Sequence, residues 1–294
     1  MAAELLATCW TSAGAVRPRD EPEVSPIPVE ERVRAVAAGG WAGIGLAQGD
    51  LEVVAATIGI EDLARQIRTA GLRYVEVELL TDWWLDAALW RPRWELLTAA
   101  ATTLGAGTVK LGTAFGEPVA DLGPFVEPAR ILAREAADLG FRLALEPLPF
   151  ALVGSLPQGA ELARRVDHPA FGLCVDAWHV FRAGTSLKAL AACLTPGLVV
   201  NVELNDADPE PIGTLFEDTR DRRRYPGEGS FDLPGFVDVL STAGFTGPWG
   251  VEMLSDEHRG LPLEEALRRA RDSTLSLLEP RDPGDDQMTP DRMA

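Results

Sequence analysis

The chain has 294 residues, with 27 Lys+Arg against 45 Asp+Glu for a formal net charge of −18, and is 46% hydrophobic and 24% charged. That apolar content excludes a disordered chain. The acidic excess argues against a DNA-binding or anionic-membrane surface, because phosphate binding needs clustered Lys and Arg, and no stretch approaches the ~20 apolar residues of a membrane span.

Short apolar runs alternate with Ala/Leu/Arg/Glu-rich stretches along the chain. Strand Leu5–Trp10 precedes helix Val29–Ala38, and strand Gly43–Leu46 precedes helix Ile60–Ala70. Next come strand Tyr74–Leu79 with helix Arg93–Leu104, and strand Thr108–Gly112 with helix Phe125–Leu139. Strand Arg142–Glu146 leads to helix Pro157–Val166, and strand Gly172–Asp176 to helix Ser186–Leu194. The last two units are strand Val199–Asn205 with helix Leu233–Ala243, and strand Trp249–Leu254 with helix Leu263–Leu278. Gly71, Gly105, Gly140 and Gly244 follow helical runs, where a left-handed cap favours glycine. Eight βα repeats with no GxGxxG or GxxxxGK[ST] loop predict a single-domain (β/α)8 TIM barrel over residues 1–279 rather than a doubly wound sheet. The tail 280–294 lacks apolar periodicity and is expected to be disordered.

Cys9, Cys174 and Cys193 show no CxxC spacing, as in a reducing compartment, and the N-terminus lacks the basic and apolar stretches of a signal peptide. The expectation is a cytoplasmic protein.

Side chains alternate along a barrel strand between the helices and the interior. With Leu143 and Leu145 facing outward, Glu146 faces in; the same parity turns Asp176, Glu203 and Glu252 inward on the next three strands. It also directs Glu76, Glu78 and Lys110 inward. Carboxylates sharing a site cannot all stay ionised unless something positive sits among them; otherwise some take up protons. A divalent metal is the economical solution, and all-oxygen ligands favour Mg²⁺ or Mn²⁺. The plainer alternative is that these charges solvate the barrel mouth or pair with Lys110 and nearby arginines.

The chain resembles the sugar phosphate isomerase/epimerase superfamily, the xylose isomerase-like TIM barrels, over nearly its full length. The resemblance rests on Ala-Thr-Cys-Trp-Thr-Ser-Ala-Gly (7–14), Val-Glu-Val-Glu-Leu-Leu (75–80), Leu-Glu-Pro-Leu-Pro (145–149) and Val-Asp-Ala-Trp-His (175–179). It continues in Glu-Leu-Asn-Asp (203–206), Pro-Gly-Glu-Gly (226–229) and Val-Glu-Met-Leu-Ser (251–255). It implies a divalent metal, Mn²⁺ or Mg²⁺ with Co²⁺ as an alternative, held by Glu146, Asp176 and Glu252, with Glu203 where the family commonly has His. The exchange keeps a ligand but adds a negative charge, or else leaves Glu203 standing behind the ligands.

The resemblance further implies an isomerase or epimerase acting through an enediolate on a keto sugar, inosose or related polyhydroxylated carbonyl compound. Glu146 and Glu252 would be its acid/base pair. Such chemistry needs a stabilised oxyanion and an acid and base on opposite faces. A dehydratase or lyase would use the same groups, and a non-catalytic barrel is the alternative of another kind. An abasic-site endonuclease is disfavoured by three His and the acidic charge.

His179 is assigned a substrate hydrogen bond or proton relay; His168 is read as structural, and His258 is left undecided. Trp10, Glu78 and Arg224 are further candidates for substrate binding, Arg224 by gripping a hydroxyl, carboxylate or phosphate from the loop after the seventh strand. Lys110 is expected to partner Glu76 or Glu78 rather than to form a Schiff base. Trp83, Trp84, Trp90 and Trp94, if exposed, would suit an interface in a homo-oligomer.

Overall fold

The computed structural model describes residues 3–279; the expectation for the tail 280–294 lies outside the described residues. Eight strands, β1 (Leu5–Ala7), β2 (Gly43–Ala47), β3 (Tyr74–Leu80), β4 (Thr108–Leu111), β5 (Arg142–Leu145), β6 (Phe171–Asp176), β7 (Val199–Leu204) and β8 (Trp249–Val251), follow one another around a closed barrel. All pairings are parallel, and β1 closes on β8 through Leu5 opposite Trp249. The expected (β/α)8 barrel is present.

Helix faces and strand exteriors form the main core. Ile44, Leu46, Val109, Leu143, Leu145, Leu173, Val175 and Leu204 are fully buried between them. Gly105 and Gly140 close their helices in the left-handed conformation, as the spacing predicts. Helix Ala87–Leu104 starts earlier than Arg93 because the Asp86 carboxylate caps it, accepting from Ala88 N at 2.9 Å. At the C-terminal mouth the strands are shorter than the apolar runs. β1 ends at Ala7, and Cys9–Ser12 becomes a helical turn tied to β8, where the Thr11 hydroxyl donates to Val251 O at 2.7 Å. Glu146 and Glu252 stand one residue beyond β5 and β8.

The βα loops carry additional helices, Gln48–Ala56, Ala177–Arg182, Leu215–Asp221 and Asp256–Arg259. Side-chain caps start two of them, Asp176 for Ala177–Arg182 and Thr214 for Leu215–Asp221. Among the described residues no helix is long and apolar enough to cross a membrane.

The tryptophans depart from expectation. Trp83, Trp90 and Trp94 are 0%, 6% and 2% exposed, and Trp84 is partly covered against Phe125. They therefore offer no open interface. Their indoles fill space under helix Ala87–Leu104, and each buried N–H has a partner: Trp83 donates to Gly112 O at 2.8 Å and Trp94 to Glu135 Oε2 at 2.6 Å. Trp94→Ala is expected to lower the unfolding free energy by about 3–5 kcal/mol, the usual cost of emptying a buried aromatic site. Urea unfolding checks this.

Candidate active site

The acidic groups converge because their strands do. In register Asp176 lies opposite Glu203, and Glu203 opposite Gly250, while Lys110 lies opposite Ala144. The small partners leave room for the long side chains beside them. A Cβ on Gly250 would fall 2.3 Å from Val202 O, so no larger residue fits there without moving the backbone.

Glu146, Asp176, Glu203 and Glu252 are all buried and bring one oxygen each within 4.8 Å of one another, a cluster that could hold one divalent cation. The interior already carries cations, however. Lys110, fully buried, places Nζ 2.6 Å from Glu203 Oε1, 2.7 Å from Glu78 Oε2, 3.5 Å from Glu146 Oε2 and 3.6 Å from Glu252 Oε1. Arg223 brings Nη1 to 2.8 Å from Asp176 Oδ2 and 3.0 Å from Glu252 Oε2. Every candidate ligand thus faces a fixed cation. A metal bound to the same oxygens would sit against the Lys110 ammonium in a place sheltered from water. The side chains as arranged here therefore do not accommodate the ion unless Lys110 gives way.

Lys110 meets Glu78, as expected of one of its two candidate partners, but also reaches Glu203. Glu76 sits deeper, accepting from Asn201 Nδ2 at 2.7 Å. His179 lies with Nε2 3.3 Å from Glu146 Oε1, and its backbone N–H donates to Asp176 Oδ1 at 3.0 Å. Asn205 Nδ2 donates to Asp176 Oδ2 at 2.9 Å, fixing that carboxylate from the β7 side.

Above this floor opens a cavity of about 520 Å³. Glu78, Glu146, His179, Arg223 and Glu252 face it, with Trp10, Phe115, Phe150 and Phe216 along the walls. Trp10 and Glu78 thus line the cavity. Arg224 does not: it is exposed and paired with Asp208, Nη2 to Oδ2 at 3.1 Å. Backbone alternation makes the difference. Arg224 exchanges main-chain hydrogen bonds with Asp206, and Arg223, one residue earlier, turns inward. The Pro226-Gly-Glu-Gly229 loop is held by Asp206, which accepts from Gly227 N at 3.1 Å, Gly229 N at 3.0 Å and Phe231 N at 3.0 Å.

Arg223 is the residue that sequence reasoning missed. Its position depends on helix Leu215–Asp221: Thr219 O and Oγ1 each accept from Arg223 Nε at 3.2 Å. The phase of an irregular loop is not legible in local sequence, so nothing marked Arg223 over its neighbours. His258 is structural: buried, it contacts Tyr225 Oη at 3.0 Å and Thr11 O at 2.9 Å. His168 sits just before β6, away from the carboxylates, with Nδ1 accepting from Ala170 N at 3.2 Å.

Burial and crowding separate the carboxylates electrically. Burial, helped by Glu146 and Asp176, pushes Glu252 up to about 8 despite Lys110 and Arg223. Burial and neighbouring Glu252 likewise push Glu203 up. Glu146 goes the other way: burial would raise it, but Lys110 and then His179 hold it below the usual carboxylate range.

The family model for the xylose isomerase-like TIM barrel matches residues 33–274. The chain belongs to that family. An inosose isomerase of Bacillus subtilis is 28% identical over 145 residues, covering 49% of this chain and 51% of that protein. A 3-dehydroshikimate dehydratase of Pseudomonas putida is 31% identical over 157 residues, covering 52% of this chain and 24% of that one. The chain therefore spans about half the length of the isomerase it matches and about a quarter of the dehydratase. Among solved structures, a xylose isomerase domain containing protein from Salmonella typhimurium superposes with TM-score 0.80 at 17% identity, covering 95% of this chain and 100% of that one. The IOLI protein, described with a binding zinc atom, gives TM-score 0.77 at 20% identity, covering 93% and 97%. At these identities the structural likeness speaks for the fold.

A pH test follows from Glu252. In the unfolded chain it returns to about 4.5, so between that value and about 8 the folded protein binds more protons than the unfolded one. Stability therefore falls as pH rises through this window and levels above it. Thermal midpoints across the window should decline in the native chain and decline less steeply in Glu252→Gln; equal slopes would remove Glu252 as the source.

Proposed function

We propose that the chain is an enzyme that moves a proton on the carbon beside the carbonyl of a cyclic, polyhydroxylated ketone, isomerising or epimerising it through an enediolate. One observation carries this reading. Two buried glutamates at the cavity floor, Glu146 and Glu252, are pushed in opposite directions, one held ionised and the other up to about 8. A base and an acid separated in this way are what proton transfer at neutral pH requires.

In this reading Glu146 removes the α-proton and Glu252 returns one, to the neighbouring carbon in an isomerisation or to the opposite face of the same carbon in an epimerisation. The developing oxyanion meets Arg223, which faces the cavity beside Glu252, and His179 beside Glu146 relays the proton. Trp10 offers an apolar wall to a ring face, and Glu78 a hydrogen-bond acceptor to a hydroxyl. The names of the relatives, inosose isomerase and 3-dehydroshikimate dehydratase, support a small cyclic ketone as substrate. The dehydratase matches, at 31% and 32% identity, favour a second reading in which the enediolate loses a β-hydroxyl as water. Both reactions begin with the same proton abstraction.

The test is incubation with inososes, 3-dehydroshikimate and keto sugars in heavy water, followed by mass spectrometry and NMR. Deuterium incorporation with otherwise unchanged mass marks isomerisation, and loss of water marks dehydration. Glu146→Gln should slow turnover by about 10²–10⁴-fold, the usual worth of a positioned base. Full turnover in that variant would end its assignment as base, and no reaction with any of these compounds would favour a non-catalytic barrel.

A further inference from the structure

Glu146, Asp176, Glu203 and Glu252 could together hold a divalent cation, and here two side chains of the same chain meet them: Lys110 stands beside Glu146, Glu203 and Glu252, and Arg223 beside Asp176 and Glu252. Nζ of Lys110 hydrogen-bonds Glu203 at 2.6 Å, pairs with Glu78 at 2.7 Å and stands nearly equidistant from Glu146 and Glu252, at 3.5 and 3.6 Å. An ammonium has three N–H groups. With all four glutamates within 3.6 Å of Nζ, the charge is shared among them.

We infer that Lys110 is the resident cation of this centre, standing in the position of a divalent metal, and that Glu203 and Lys110 form a matched pair that closes the position to metal ions. The side chains are built around this arrangement. Lys110 is fully buried and does not face the cavity, so it has no solvated alternative without opening the barrel floor. Its partner in register on β5 is Ala144, and that of Glu203 on β8 is Gly250, which leaves space for both long side chains. Glu203 and Lys110 carry opposite formal charges, so exchanging both for neutral residues leaves the formal net charge unchanged. Arg223, bonded to Asp176 and Glu252, occupies the other side of the cluster. A divalent ion would have to displace an ammonium that hydrogen-bonds Glu203 and pairs closely with Glu78, from a site where like charges are poorly screened. Lys110 is thus a positioning residue: it orients Glu146 and Glu252 from below without touching substrate.

This inference concerns the same cluster as the proposed reaction but rests on its geometry alone, and its readout is metal binding rather than turnover. Mn²⁺ binding to the chelator-treated, dialysed protein would be measured by calorimetry and by the free-ion paramagnetic resonance signal, in the native chain, in Lys110→Met and in Lys110→Met/Glu203→His. The double variant removes one charge of each sign, so it keeps the net charge and guards against failure of the single variant to fold. The native chain should take up Mn²⁺ only weakly, and at least one variant should bind it tenfold or more tightly. Stoichiometric tight binding by the native chain, or no gain in either folded variant, would overturn the inference. Loss of turnover without change in metal binding would bear on the reaction and leave this result standing.

Discussion

An ammonium group surrounded by four glutamates at the bottom of a closed barrel is an expensive object, and the arrangement of the mouth follows from making it tolerable. At an effective dielectric constant of about 20, two unit charges 4 Å apart interact by about 4 kcal/mol. Repulsion among the carboxylates alone would thus exceed the net stability of many domains. Lys110 converts much of that repulsion into attraction, because one positive charge lies within 3.6 Å of Glu78, Glu146, Glu203 and Glu252. Arg223 does the same for Asp176 and Glu252. What these cations leave uncompensated is met by protons, which is why burial and crowding raise Glu203 and Glu252 while Glu146, which meets both Lys110 and His179, stays ionised.

The same balance connects the loops to the barrel. Arg223 is aimed inward only because Thr219, on the short helix after β7, accepts its Nε and Nη2 hydrogen bonds. That helix is in turn fixed by Asp218, which accepts from Trp178 Nε1 at 3.1 Å and Arg182 Nε at 3.0 Å. Trp178 and Arg182 belong to the helix capped by Asp176, so the carboxylate that binds Arg223 also organises the loop that holds Arg223 in place. Such reciprocal fixing holds Arg223, and through it Asp176 and Glu252, at defined positions.

Membership of the xylose isomerase-like family accounts for the scaffold and for the placement of chemistry at the C-terminal ends of the strands. Glu203 on β7 and Lys110 on β4 face each other across the barrel interior, 93 residues apart in sequence, and neither has meaning without the other.

What the amino-acid sequence determined by itself was whatever depends on period. The βα rhythm specifies the barrel, and alternation along regular strands turns Glu76, Glu78, Lys110, Asp176 and Glu203 inward, because a residue's face follows from its parity once a neighbour is known to be apolar. Glu146 and Glu252, one step past their strands, kept the parity of the strand they leave. Only the tertiary structure decided what those groups do to one another. It chose Glu78 and Glu203 over Glu76 as partners of Lys110, because depth along the barrel axis depends on strand stagger rather than on alternation. It selected Arg223 over Arg224, because an irregular loop has no period from which to read a face. It also covered Trp83, Trp90 and Trp94, since burial of a helix's polar-capped aromatics is settled by what packs above them, which no local pattern encodes.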